Sequence, residues 1–293
     1  MSLSYFIQLT VCGLSLGMVY ALVGLGLMLI IRASGLRNFA QGNILAMGAF
    51  LSYELMYKLN ISNKFLVIII ALCFFIAFSL LFCALCVFPF TNSKWPQTML
   101  IATMGMGTII TEACGILVTR QNRMMPAWIP GSLTIGDLVL DYQYIIVFVI
   151  AALLILGVYL LFDKLYIGKI LSAAAQNRYA AELLGINTTL TVLLTFIVNT
   201  IVVGIAGWSI APIYLVRPTL SAFQAKAFAG IVIGGWGNLK GSVLGGIIIG
   251  MIESYSSILT LAYRDAIVYL FLIIVLIIKP TGLFKGVTYQ DKA

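Results

Sequence analysis

The chain has 293 residues, of which 62% are hydrophobic and 9% charged, and its net charge is +8. A soluble domain carries about 25% charged residues, so this composition excludes a water-facing surface and points to a membrane protein. The 17 Lys and Arg stand singly between apolar runs, a pattern that suits membrane orientation and contact with lipid headgroups, not nucleic acid.

A helix needs about 20 residues to cross roughly 30 Å of hydrocarbon. The first span is predicted over 6–31. Residues 1–31 carry no charge and the apolar run exceeds a signal-peptide core, so a retained span is expected. A more polar second span follows over 39–57, then spans over 65–88 and 98–118. Residues 119–141, broken by Pro126, Pro130 and Gly131, read as an external loop. The next spans are 142–162 and 190–214, separated by a polar stretch at 163–187. Residues 227–236 are apolar, Gly237-Asn238-Leu239-Lys240-Gly241 interrupts them, and 242–252 resumes. A helical hairpin is expected here, its first arm too short for a straight crossing. Non-helical backbone at membrane depth survives only where protein or water satisfies it. The last span, 262–278, stops at Lys279-Pro280. The expected fold is an all-α, polytopic transmembrane bundle of about eight or nine segments, including a Gly-rich broken hairpin, in one domain over 1–293.

Placing 163–187 in the cytoplasm puts Arg32, Arg37, Lys94, Lys164, Lys169, Arg178, Lys240, Lys279, Lys285 and Lys292 inside. It leaves Lys58, Lys64, Arg120, Arg123, Arg217, Lys226 and Arg264 outside. That balance obeys the positive-inside rule, with the amino terminus outside and the carboxyl terminus inside.

Histidine is absent, which removes the commonest general acid/base and metal ligand. Cys12, Cys73, Cys83, Cys86 and Cys114 lie within apolar stretches and are odd in number. They read as small buried residues, not a disulfide framework. The sequence holds no nucleotide-binding P-loop, no His/Cys metal set and no G-x-S-x-G elbow. Neither a cofactor nor a metal is expected in this chain, and an ATP-driven function would have to borrow its ATPase.

Four features carry the functional reading. Ser34-Gly35-Leu36-Arg37-Asn38-Phe39-Ala40-Gln41-Gly42-Asn43 is a Gly- and amide-rich turn before an apolar helix. Asn38, Gln41 and Asn43 could line a polar pathway, or Asn38 could cap the helix with Gln41 closing the cap. Second, Gly230, Gly234, Gly241 and Gly245 form small-x-x-x-small pairs around Asn238. Such pairs bring helices close, and interrupted helices mark transport paths. Tight packing and pathway lining are both open. Third, 163–187 suits short helices stopped by Gly185, as a partner-docking element or a solvated linker. Last, Glu112 and Glu253 are carboxylates in apolar spans. A charge there costs about 2.5–3.5 kcal/mol on insertion scales, so each needs protein or water beside it, with Lys226 and Arg264 as candidate partners.

Asn38-Phe39-Ala40-Gln41-Gly42, Lys226 through Gly246, and Ala180-Ala181-Glu182-Leu183-Leu184-Gly185-Ile186-Asn187 together resemble the membrane permease subunits of branched-chain amino acid ABC transporters. The permeases for urea and short amides are near relatives. The resemblance covers nearly the whole chain. It implies an importer of a neutral or zwitterionic solute, located in a bacterial-type inner membrane. Its expected partners are a second permease, usually a different one, two cytoplasmic ATPases that bind the ATP, and an external solute-binding protein. Residues 163–187 then become the coupling element, with Ala174, Arg178, Ala181, Glu182, Leu184 and Gly185 at the ATPase contact. Asn38, Gln41, Asn43, Gly230, Gly234 and Asn238 would belong to the translocation pathway. The competing reading is an ion-driven secondary transporter, which would need Glu112 and Glu253 as coupling charges.

Overall fold

The computed structural model describes residues 3–35, 37–59, 61, 63–90, 97–136, 138–176, 178–259 and 263–284. Lys94, Lys285 and Lys292, which enter the charge balance above, lie outside the described residues.

The elements follow the apolar runs. Helix α1 is Leu3–Ser34 and α2 is Gln41–Ser52, continued by a π-helical turn over Tyr53–Lys58. Helix α3, Lys64–Phe82, starts where the Asn63 side chain accepts the amide protons of Phe65 and Leu66, and it ends in a π turn at Cys83–Val87. Helix α4 is Gln97–Leu117. The expected external loop holds a two-stranded antiparallel hairpin, β1 Ser132–Ile135 and β2 Leu138–Asp141. Helix α5 is Tyr142–Tyr159 with a π turn at Leu160–Lys164. The polar stretch forms α6, Tyr166–Gln176, and α7, Arg178–Leu183. Helix α8, Thr188–Ile210, is capped by Asn187. The Gly-rich region gives α9, Phe223–Gly234, and α10, Leu239–Ser256, before α11, Arg264–Ile278.

A helix that is apolar all round must be buried in protein or lipid, and this chain uses both solutions. Helix α1 is the axis: 94% of its most apolar window is buried, beneath α10, α8, α5 and α9. Helices α3, α4 and α5 lie at the periphery, where residues such as Phe65, Ile101 and Leu153 face outward. Cys73 also lies on the exposed face of α3, against the expectation that all five cysteines are buried. The five cysteines are unpaired.

Among the described residues, five helical segments are long and apolar enough to cross a membrane: Ser4–Arg32, Phe65–Phe90, Gln97–Leu117, Tyr142–Lys164 and Thr188–Ile210. The other expected segments are the shorter or less apolar α2, α9, α10 and α11. Helix α9 has 12 residues, or about 18 Å at 1.5 Å per residue, well short of a hydrocarbon core.

Candidate functional site

The irregular chain between α1 and α2 runs alongside α9. The Arg37 guanidinium lies 5.9 Å from the Trp236 ring centroid just beyond one end of α9. The Phe39 ring lies 6.0 Å from that of Phe228, and the Gly42 N–H donates to Gln224 Oε1 (2.9 Å) near the other end. Side chains satisfy its backbone, as buried irregular backbone requires. Asn38 Oδ1 accepts from the Ala40 N–H (2.9 Å) and Thr103 Oγ1 on α4 accepts from the Phe39 N–H (3.1 Å). The N-cap position of α2 falls at Ala40, with no side-chain cap bond of its own, so Asn38 caps the turn that leads into the helix and Gln41 does not close a cap. Asn38 is fully buried, and its Nδ2 makes no hydrogen bond to the described residues.

Gln41 is also fully buried and forms a reciprocal amide pair with Asn199 of α8. Its Nε2 donates to Asn199 Oδ1 (3.0 Å), and Asn199 Nδ2 donates back to Gln41 Oε1 (3.2 Å). Two buried amides that satisfy each other avoid the roughly 1–3 kcal/mol penalty of an unpaired polar group. Asn43 is half-buried and turns toward α4, where its Nδ2 donates to Thr111 Oγ1 (2.6 Å). Gln41 stands out in the sequence, whereas its partner Asn199 does not. The available signal was one amide inside the apolar 190–214 run.

The glycines of α9 and α10 face each other's backbone. A Cβ on Gly230 would lie 2.8 Å from the Gly246 nitrogen, and a Cβ on Gly245 would land on the Gly230 carbonyl. Gly234 and Gly241 oppose each other in the same way. The break falls at Gly235, whose φ of 103° suits glycine. Asn238 then caps α10 by accepting the Gly241 N–H (3.0 Å).

At the other end of the hairpin sits a buried charge cluster. Glu253 on α10 is fully buried. Its Oε1 lies 2.7 Å from Lys226 Nζ and 3.2 Å from Arg264 Nε, and the Tyr20 hydroxyl of α1 donates to its Oε2 (2.5 Å). Lys226 also reaches Asp265 Oδ1 at 2.8 Å. Two carboxylates and two cations balance, which is how a charge persists in an apolar bundle. Glu112 differs: it is exposed on α4 and pairs with the equally exposed Arg120 at 3.0 Å. Among the described residues no group of three or more His, Cys, Asp or Glu could hold a metal ion.

Helices α6 and α7 form a ledge at the opposite end of the bundle. Ala174 and Ala181 are buried, whereas Leu183 and Leu184 are 71% and 81% exposed. Gly185 follows at φ 80° and closes α7, its N–H donating to the Glu182 carbonyl (3.0 Å). The exposed Glu182 accepts from Thr188 Oγ1 through its Oε1 (2.5 Å), which ties the ledge to the start of α8. Arg178 opens α7, and its side chain lies outside the described residues.

A sequence model of the family described as "Branched-chain amino acid transport system / permease component" matches residues 9–276. The high-affinity branched-chain amino acid transport system permease protein BraD of Pseudomonas aeruginosa is 26% identical over 294 residues, 95% of each chain. LivH of Escherichia coli K12, which carries the same description, is 28% identical over 296 residues, again 95% of each chain. The solved structure of PsaBC from Streptococcus pneumoniae in complex with Fab has a similar fold. Its TM-score is 0.50 at 16% identity, with 94% of this chain and 92% of that one covered.

Proposed function

This chain belongs to the family of permease components of branched-chain amino acid transport systems, and on that premise we propose that it carries a branched-chain amino acid across the inner membrane by alternating access, driven by separate ATPase subunits. The observation that carries the reading is the match along residues 9–276, together with BraD and LivH as relatives over nearly their full length. The chain itself supplies helices and polar seams, and ATP binds to the partner ATPases. In this reading 1–293 is one permease domain, paired with a second permease and served by an external solute-binding protein. The amino terminus is outside and the carboxyl terminus cytoplasmic, with 119–141 external.

The ledge of α6 and α7 is the coupling element. Exposed leucines at 183 and 184 offer a small apolar knob to an ATPase groove, and the Glu182–Thr188 bond would carry its displacement into α8. A bistable bundle biased by ATP binding then alternates its openings. Gln41 and Asn199 join α2 to α8, and Asn43 joins α2 to α4, so displacement of α8 reaches the pathway residues through hydrogen bonds. Glu253 sits between two cations, which suits a fixed ion pair better than a carboxylate that takes up and releases a coupling ion.

The test is ATP-driven leucine uptake by the reconstituted complex with its binding protein. Gly185→Arg puts a long side chain at positive φ beside the leucine knob. Uptake is expected to fall by about tenfold or more, equivalent to roughly 1.4 kcal/mol of lost coupling, while ATP hydrolysis persists. Wild-type uptake in both Gly185→Arg and Glu182→Lys would remove the coupling role of the ledge. No ATP-driven uptake of any branched-chain amino acid by the unmodified complex would remove the substrate assignment.

A further inference from the structure

A cavity of about 240 Å³ opens at the end of the bundle away from the α6–α7 ledge. The starts of α1, α5 and α11 and the ends of α8 and α10 surround it. Its aliphatic lining includes Leu16, Val147 and Ile213, and its polar lining includes Ser254, Ser257 and Arg264, with Ser15, Tyr144 and Tyr214 in the same space. At roughly 30 Å³ per water this space equals about eight waters, room for a solute of about nine non-hydrogen atoms and too little for a large ligand.

The polar groups have distinct roles. Ser257 Oγ donates its proton to the Ser254 carbonyl (2.6 Å), and Ser254 Oγ donates to the Leu9 carbonyl (2.6 Å). Each hydroxyl has spent its only hydrogen, so toward a ligand it can only accept. Arg264 can only donate, and it is anchored through Nε to the buried Glu253 (3.2 Å). Two acceptors and one cation among aliphatic side chains match an ammonium, a carboxylate and a branched side chain on one small molecule. The charges behind the cavity, Glu253, Asp265, Lys226 and Arg264, sum to zero, so a neutral zwitterion keeps the balance and a simple anion upsets it.

We propose that this cavity is a low-affinity binding site for a small zwitterion with a branched aliphatic side chain, on the face where solute arrives. The inference rests on the permease reading above and adds to it the place where solute lodges within this chain. Arg264 would hold the carboxylate, Ser254 and Ser257 would accept from the ammonium, and Leu16, Val147 and Ile213 would cover the side chain. Tyr214, which also lines the cavity, packs edge-on against Phe223 with ring centroids 5.2 Å apart, so its ring is fixed independently of any ligand.

The test is equilibrium binding of radiolabelled leucine to the purified, complete transporter without its binding protein, with competition by isovalerate, isoamylamine and glycine. Each competitor lacks one of the three groups and should bind about tenfold more weakly than leucine, or weaker still. Ile213→Trp, which fills the cavity, should abolish leucine binding. Ser257→Ala should weaken leucine severalfold and leave isovalerate unchanged, a split that general destabilisation would not produce. Should Ile213→Trp fail to fold, Ser257→Ala decides alone. Unchanged leucine binding in Ser257→Ala, or no saturable binding in the wild type, overturns the cavity assignment. If that same wild-type complex still takes up leucine with ATP and its binding protein, the permease reading stands. If it takes up no branched-chain amino acid, the reading itself has failed.

Discussion

Glu253→Gln should cost this chain about 3–5 kcal/mol of stability, because it breaks a buried ion pair and leaves a cation uncompensated. The geometry sets the size of the effect. The Glu253 side chain is 1% exposed and that of Lys226 is 9% exposed. The carboxylate also orients Arg264 and takes the Tyr20 hydroxyl, so one substitution loosens α1, α9, α10 and α11 together. Thermal unfolding in a mild detergent should show a large drop in midpoint. The double variant Glu253→Gln/Lys226→Met removes one charge of each sign and should recover most of the loss, since a buried pair replaced as a unit is close to neutral. Glu112→Gln is the contrast: its pair with Arg120 is exposed on both sides, and such pairs contribute about 0–1 kcal/mol. Equal stability for Glu253→Gln and Glu112→Gln would show that the cluster holds nothing together.

The second large effect is expected at Gly245. Its missing side chain is the reason α9 and α10 can touch. A Cβ there would strike the Gly230 carbonyl and lie 2.8 Å from the Gly234 nitrogen, both backbone atoms that cannot swing aside. Gly245→Val must therefore push the hairpin arms apart. Overpacking of a rigid contact costs about 1–3 kcal/mol and occasionally more. Here the displaced arms also carry Lys226 and Glu253, so the ion cluster is pulled apart as well. Little monodisperse protein and no uptake are expected. Gly105→Ala is the matched control: a Cβ there meets nothing within 4 Å, and alanine is the better helix former by up to about 1 kcal/mol. A well-folded, active Gly245→Val would mean that the hairpin arms are not held at contact distance in the working protein.

Much of this arrangement is legible in the sequence, for identifiable reasons. The apolar runs locate the helices because a span must satisfy its own backbone, so length and hydropathy alone suffice. The break in the hairpin is legible at Gly237–Gly241, though the turn begins at Gly235, since several neighbouring glycines could each accept positive φ. Gly185 as the stop of α7 is legible because the apolar pattern ends there. The π-helical turns that finish α2, α3 and α5 share no compositional mark: Cys83–Val87 is apolar throughout, whereas Tyr53–Lys58 carries Glu54 and Lys58 and Leu160–Lys164 carries Asp163 and Lys164, the charges expected at any span end. The hairpin β1–β2 hides in a loop read only by its prolines and glycine.

Partner identity is the harder part. Gln41 stands out as an amide before an apolar helix, but its mate Asn199 is 158 residues away, and nothing local joins them. Gln224 is similar: it meets Gly42 across the fold and carries no motif of its own. Lys226 and Arg264 are legible as partners for Glu253 because an intramembrane carboxylate demands cations. The additional contacts of Tyr20 and Asp265 depend on the packing of α1 and α11. The reading of Glu112 as a carboxylate in apolar surroundings rests on sequence neighbours, whereas its surroundings in space are the open face of α4 and Arg120.

As the permease component of an ATP-driven importer, this chain should carry its ATPase with it through purification. The most direct test is to purify the tagged chain in a gentle detergent from cells producing the whole transport system, and to assay the eluate for ATP hydrolysis. A co-purifying ATPase is expected, with activity that rises when the solute-binding protein and leucine are added. A clean, well-folded chain without ATPase activity, whose reconstituted uptake follows an ion gradient and is lost when both Glu112 and Glu253 are changed to Gln, would contradict it.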